Sequence, residues 1–218
     1  MEPGCQDPSV AAGRTYAGRT LPERRAERRE RLIAAGLQEI GTAGYGATSV
    51  KDICARAGLT ERYFYEQFAD REAILIAVFE HVIELVSGAA FSAARAAPPT
   101  ESARVRAGIR GFLSALSEDP RLARVQLIEV VGRSPELERR RFEAMHTFAA
   151  FIEAVAQELD SDRSYPRGSR SHAIVMALVG GTNHLAVEWT LGGLEMELDD
   201  LVDALATLFE AAAGIPDP

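Results

Sequence analysis

Residues 48–75, TSVKDICARAGLTERYFYEQFADREAIL, limit what this chain can fold into more than any other stretch. Their helix start and stop signals lie so close together that only short helices across a tight turn fit. A helix opens on Thr48 or Ser49, since Ser49 followed three residues later by Asp52 approximates a capping box with Asp in the place of Glu. Val50, Ile53, Cys54 and Ala57 form its inward face. Gly58 stands where a left-handed residue ends a helix, Leu59 plugs the corner, and Thr60 can cap the next helix. There Phe64 and Phe68 share a face at helical spacing and pack inward, leaving Glu61, Arg62, Tyr63, Tyr65, Glu66 and Gln67 outward. Two outward tyrosines in so short a helix are costly to leave in water. Asp70 then caps a helix that begins at Arg71 and is apolar along Ile74, Leu75, Val78, Phe79 and Val82. Upstream, Leu32, Ile33, Leu37 and Ile40 recur at helical spacing before Gly41, Gly44 and Gly46, so a third helix completes a small helix-turn-helix head.

The run AGYGATSVKDICARAGLTERYFYEQFADREAIL closely resembles the amino-terminal domain of the tetracycline-repressor (TetR) family of bacterial transcription factors. The specific resemblance covers about residues 24 to 80, and the rest agrees in length and helical pattern. It implies double-stranded DNA as a partner. Carried over by position, it assigns Thr48 or Ser49 to a phosphate, with Lys51 one turn further on. Thr60 would meet a phosphate or base at the start of the recognition helix, Tyr65 occupies a phosphate-contacting tyrosine position, and Arg71 stands where the family has a lysine. Helix N-termini present unpaired N–H groups and a positive dipole end to anions, which gives these roles a physical basis. Arg62 is the candidate for a base, because its forked donors match guanine O6 and N7, a contact worth roughly 1 to 3 kcal/mol of discrimination. Tyr63 joins the expected DNA surface as the second outward tyrosine. Glu61 and Glu66 depart from the family pattern: either they are solvated carboxylates that tune affinity, or one accepts from cytosine N4.

The chain has 24 Lys and Arg against 32 Asp and Glu, a net charge of −8 that at first opposes a DNA partner. The imbalance lies outside the head, since residues 1–75 carry 11 of each sign. Residues 14–31 hold seven arginines (Arg14, Arg19, Arg24, Arg25, Arg28, Arg29 and Arg31) against three glutamates. This stretch reads equally as an arm that follows a groove or phosphates and as a solvated tail leading into a charged helix. Residues 1–20, rich in Gly and Pro without apolar periodicity, are expected to be disordered. They lack the apolar segment of a signal peptide, and no uncharged run of roughly 18 apolar residues occurs, so a cytoplasmic protein without a membrane partner is expected. Cys5 and Cys54 are poorly placed for a disulfide, and Cys54 reads as a small core hydrophobe.

Beyond the head the chain reads as all helix, giving an all-α fold of about nine helices: a tail to residue 20, a DNA-binding domain over 21–75 and a helical domain over 76–218. Pro98 and Pro99 separate a long fourth helix from a fifth over about Glu101 to Ser117, and Asp119 with Pro120 opens a sixth running to Val131. Gly132 stops the sixth, Ser134 with Pro135 starts a seventh to about Leu159, and a polar loop from Asp160 to Ser169 precedes an eighth to about Thr190. Gly192 and Gly193 turn into a ninth, where Leu198, Leu201, Val202, Leu205, Leu208 and Phe209 form a stripe broad enough for more than one neighbour. The resemblance implies that the last two helices pair with a two-fold mate. Gly180, Gly181 and Ala186 would then permit close approach, and Leu185 and Trp189 would supply area. Two heads at half-sites roughly 10 base pairs apart, or a multiple of that, follow from the symmetry.

A small-molecule cleft among the fifth to eighth helices is likewise implied by the resemblance, and polar residues interrupting apolar faces are the candidates to line it. Gln126 and Glu129 break the sixth helix, where Glu129 shares the face of Leu122 and Val125 and needs a partner. On the seventh, Phe142, Met145, Phe148 and Ile152 make an apolar face with His146 at its edge, and Asn183 and His184 interrupt the eighth. Taken alone, each polar group is better explained by a hydrogen bond within the protein. Four histidines without paired carboxylates or cysteines speak against a metal, and no cofactor motif is present. Nothing in the sequence supports catalysis, so the expectation is a ligand-responsive DNA-binding regulator, most simply a repressor released by its effector. The other readings are an activator, and a helical ligand-binding protein or enzyme with a vestigial head.

Overall fold

A computed structural model describes residues 20–159 and 169–213. The expectations for the tail, for Arg14, Arg19 and Cys5, and for the loop after Asp160 fall outside these residues. Within them the chain is all-α, as expected, with nine α-helices and no strand. In order these are α1 (Leu21–Ala43), α2 (Val50–Ala57), α3 (Glu61–Tyr65), α4 (Arg71–Ala96), α5 (Glu101–Glu118), α6 (Pro120–Arg124), α7 (Pro135–Leu159), α8 (Ser169–Thr190) and α9 (Leu198–Ala213). A 3-10 turn, Tyr45–Ala47, links α1 to α2.

Capping residues set the boundaries. Ser49 and Asp52 satisfy each other's backbone N–H groups in a full capping box, Thr20 and Glu23 do the same for α1, and Asp70 accepts from the Ala73 N–H at 2.8 Å to open α4. Gly58, with φ 62° and ψ 37°, ends α2 in the left-handed region open to glycine without a Cβ penalty. Ile53, Cys54, Phe64 and Phe68 are buried beneath the turn, against Leu32, Ile40, Ile74 and Val78. Burial pushes the Cys54 thiol pKa up, which keeps it a neutral packing group.

Helix α4 is the spine: its first turns pack on α1, and Val86, Ala90 and Ala94 bury further along, where α4 lies against α5. The approach is close enough that a Cβ on Gly111 would come within 2.7 Å of the Ala89 carbonyl oxygen. By length and composition α4 is the one described helix able to cross a membrane, and its apolar side is accounted for by this core.

Two expectations need correction. The sixth helix is not one continuous α-helix: α6 gives way to a π-helical turn, Val125–Glu129, whose wider winding re-aims Gln126 and Glu129. The apolar stripe of α9 is mostly spent inside its own subunit. Leu201, Val202, Leu205 and Phe209 are buried, chiefly against α5, where Arg106 and Arg110 pair with Asp203 and Asp199. Of the large residues in that stripe, Leu208 is left exposed. On α8, Ala186 is fully buried, Leu185 and Trp189 pack on the same core, and the Trp189 indole N–H donates to the Met196 carbonyl at 2.8 Å.

Candidate nucleic-acid interface and effector cleft

The head presents a short recognition helix on a rigid base. Phe64 and Phe68 anchor α3 from below, while Thr60, Arg62, Tyr63 and Tyr65 remain exposed. Thr60 occupies the N-cap position, yet its side chain makes no capping bond, so its hydroxyl is unspent. The Arg62 side chain is 86% exposed and paired only loosely with Glu66, at 3.4 Å. This places Glu66 beside the candidate base-reading group. Lys51 is exposed in the first turn of α2.

Three other expected phosphate contacts are committed within the protein. Thr48 is buried, and its hydroxyl donates to the Gly44 carbonyl at 2.8 Å. The Ser49 hydroxyl donates to Asp52 at 2.5 Å and accepts the Asp52 N–H. The Ser49 hydroxyl and the Ser49 backbone N–H, both donating to the Asp52 carboxylate, hold it below the usual carboxylate range. Arg71 donates to the Thr48 carbonyl at 2.8 Å and lies over the Tyr45 ring at 4.3 Å, tying the start of α4 to the start of α2. Arg71 therefore holds the motif's geometry.

The arginines of α1 turn out to be the recognition helix's supports. Arg25 donates to the Glu66 carbonyl at 2.9 Å, Arg28 covers the Tyr63 ring at 4.7 Å, Arg29 lies over Phe68 at 5.1 Å, and Arg31 donates to the Ala57 carbonyl at 2.6 Å. Arg31 thus neutralises the carbonyl end of α2 just before the turn. Their spacing along α1 shows a charged face but carries no signal of its partners, which lie 26 to 41 residues away in sequence for Arg31 and Arg25.

Glu129 is not in a ligand cleft. It is buried, and its carboxylate accepts from the Tyr45 N–H at 3.0 Å, Arg124 Nε at 3.1 Å and Arg133 Nη2 at 3.4 Å. Arg133 also lies over the Tyr45 ring, on which Arg71 stacks too, and Arg124 donates to the Thr42 carbonyl at 2.6 Å. Tyr45, unremarked in the sequence, is thus where the π-helical turn grips the head. His146 also stands outside the clefts: its ring meets His172 at 3.3 Å between nitrogens, and His172 in turn meets Glu153 at 3.0 Å.

Two adjoining clefts open between α4, α5, α7 and α8, and both are lined by Phe148 and Asn183. The distal one spans about 880 Å³ counted together with the open solvent at its mouth and is walled by Phe91, Phe112, Phe151, Ile152 and Val179, with Arg104 and Glu101 also on its lining. Phe91 and Phe151 stack there with centroids 3.9 Å apart, a pairing between α4 and α7 that no local pattern announces. The proximal cleft, about 820 Å³, takes in Phe79, Ile83, Met145 and Gln126. Gln126, Met145, Phe148 and Asn183 thus all line this one cleft.

A helix-turn-helix with a buried core and an exposed, tyrosine-bearing recognition helix, joined to a helical domain with an apolar cleft, defines a DNA-binding transcriptional regulator. Residues 32–78 match the family described as bacterial regulatory proteins, tetR family. Over those residues the chain is similar to that family. It is 25% identical over 202 residues to the HTH-type transcriptional activator FasR of Mycolicibacterium smegmatis, covering 80% of this chain and 90% of that relative. It is 28% identical over 124 residues to the HTH-type transcriptional regulator EthR of the same organism, covering 56% of this chain and 57% of EthR. The transcriptional regulator FadR from Bacillus subtilis, solved in complex with stearoyl-CoA, shares the fold with a TM-score of 0.72 at 19% identity, over 84% of this chain and 98% of its own.

Proposed function

We propose that this regulator binds a near-palindromic operator as a homodimer and is released when a small molecule with an apolar body enters the cleft. The observation that carries this reading is the surface of α3: Thr60, Arg62, Tyr63 and Tyr65 stand exposed over a fully buried Phe64. In this reading Arg62 reads a base edge, while Lys51, Thr60, Tyr63 and Tyr65 hold the backbone. Residues 21–75 act as the DNA-binding domain and 76–218 as the effector and dimerisation domain.

The dimer face falls on the last two helices. Ala173, Ala177 and Gly181 lie exposed at four-residue spacing on α8, and Ala204, Leu208 and Ala211 form an exposed strip on α9. Small residues allow close helix approach, and Leu208 supplies apolar area. Effector binding shifts the population between two head separations by its differential affinity for them. Occupancy represses where the operator overlaps the promoter. An activator is the second reading, favoured by the likeness to FasR, and it differs only in promoter position.

Mobility shift with footprinting on DNA flanking the protein's own gene, across a salt series, tests the proposal. A protected near-palindrome whose affinity falls steeply with salt is the expected result. Absent or salt-insensitive binding by a folded dimer would remove it.

A further inference from the structure

The proximal cleft holds hydrogen-bonding capacity that the protein does not use. Gln126 is buried, its Oε1 accepts no hydrogen bond, and it sits on the π-helical turn, a winding that costs energy and recurs at functional sites. Asn183 faces the same cleft, and its side chain makes no hydrogen bond among the described residues. A buried amide oxygen left unpaired destabilises a fold, so Gln126, with the half-buried and unbonded Asn183 on the same cleft, calls for a ligand group to satisfy it. The terminal torsion of a glutamine side chain is soft, so its amide can swing to meet such a group.

Charge decides what that group can be. Among the described residues the proximal cleft is lined by one arginine and no lysine, and that arginine, Arg141, is engaged by Glu138 at 2.9 and 3.1 Å. In the distal cleft Arg104 is held by Glu158 at 3.1 Å, and Glu101 adds a further acid to the lining. An anion buried in either cleft would meet only arginines whose charge a carboxylate already balances, with the single unpaired Nε–H of Arg104 as a donor, and most of its desolvation would go uncompensated. Phe148 and Asn183 line both clefts and so stand between the polar one and the aromatic-walled one.

We infer that the effector is an uncharged amphiphile: its hydroxyl or amide group hydrogen-bonds Gln126 and Asn183, and its hydrocarbon body runs past Phe148 into the distal cleft. This rests on the effector reading above and narrows it to a chemical class. It also names the route of the signal, because the turn that carries Gln126 carries Glu129, which holds the head at Tyr45.

Calorimetric titration of the full chain with decanol and with decanoate, at about pH 8 where the acid is ionised, tests it. Decanol is expected to bind at least about tenfold more tightly, and Gln126→Met and Asn183→Leu each to weaken decanol by roughly tenfold, the loss of one good hydrogen bond. Gln126→Met should also melt no lower than the parent, since it removes an unpaired buried acceptor, whereas a residue with a purely structural role would lower the melting temperature. Decanoate binding as tightly as decanol would overturn the inference, as would either variant keeping full decanol affinity or decanol failing to bind at all. If operator binding persists in that event, only the ligand class falls. If a folded dimer also fails to bind the operator, the regulator reading falls with it.

Discussion

Glu129→Leu removes the carboxylate through which the π-helical turn grips the head, and its cost can be worked from the contacts. The backbone N–H of Tyr45, 3.0 Å from the carboxylate, loses its acceptor in a part-buried place, a loss of about 1 to 3 kcal/mol. Arg124 and Arg133 are 38% and 42% exposed, so water takes up much of their charge, and each ion pair contributes no more than about 1 kcal/mol. The sum, roughly 1 to 5 kcal/mol, does not exceed the ceiling of about 5 kcal/mol for stripping one partner from a fully buried pair. At about 2 to 4 °C per kcal/mol for a chain of this size, the melting temperature followed by circular dichroism should fall by roughly 2 to 20 °C. Glu129→Gln, which keeps one acceptor oxygen for the Tyr45 N–H, should lose less than half of that. The same variants should loosen the response to effector more than they weaken effector binding itself, because the carboxylate lies outside both clefts. A Glu129→Leu protein that melts within about 1 °C of the parent, or that keeps the full effector response, would refute the claim that this contact couples head and core.

Arg62→Ala should relax selectivity at one base pair by about 1 to 3 kcal/mol while leaving the fold intact, as its side chain is 86% exposed; binding to an operator variant series reads this out. Arg71→Ala should instead lower both the melting temperature and binding to all sequences, because its guanidinium braces the Thr48 carbonyl and the Tyr45 ring, and an unchanged melting temperature would assign it to DNA alone. Leu208→Glu puts two carboxylates on the proposed two-fold face and should shift sedimentation toward monomer, whereas an undiminished dimer would place the interface elsewhere. Asp119 is held below the usual carboxylate range by its bonds to Arg121, and Glu138 by the Gly132 N–H and Arg141. Since both folded values are depressed, their stabilisation is present above about pH 4 and is lost as pH falls further, so denaturant midpoints should be flat from neutral to about pH 5 and drop below it. A midpoint that rises toward pH 3 would contradict this sign.

Much of the fold was legible because its signals are local. Ser49 with Asp52, Gly58, Asp70, and the Asp119–Pro120 and Ser134–Pro135 pairs act within one helical turn, and the boundaries they imply fall within a residue or two of those observed. The inward faces of the head followed from periodicity, and so did the exposure of Tyr63 and Tyr65. Gln126 and Asn183 were visible as polar breaks in apolar faces, which is a local property too.

What tertiary structure alone decided is who partners whom. A carboxylate at 129 declares in sequence only that it needs a partner, and its choice of Tyr45, 84 residues away, depends on how α6 and the π turn pack against the head. The same holds for Thr48, whose place at a helix start suggested a phosphate until its hydroxyl was seen bound to Gly44, and for the arginines of α1, whose carbonyl and ring partners come from α2 and the segment around α3. The apolar stripe of α9 likewise showed that area had to be buried, but not against what, because burial is non-directional and scales with area rather than identity. Caps and periodicity are written within a turn of the chain; partnership across it is settled only when the helices meet.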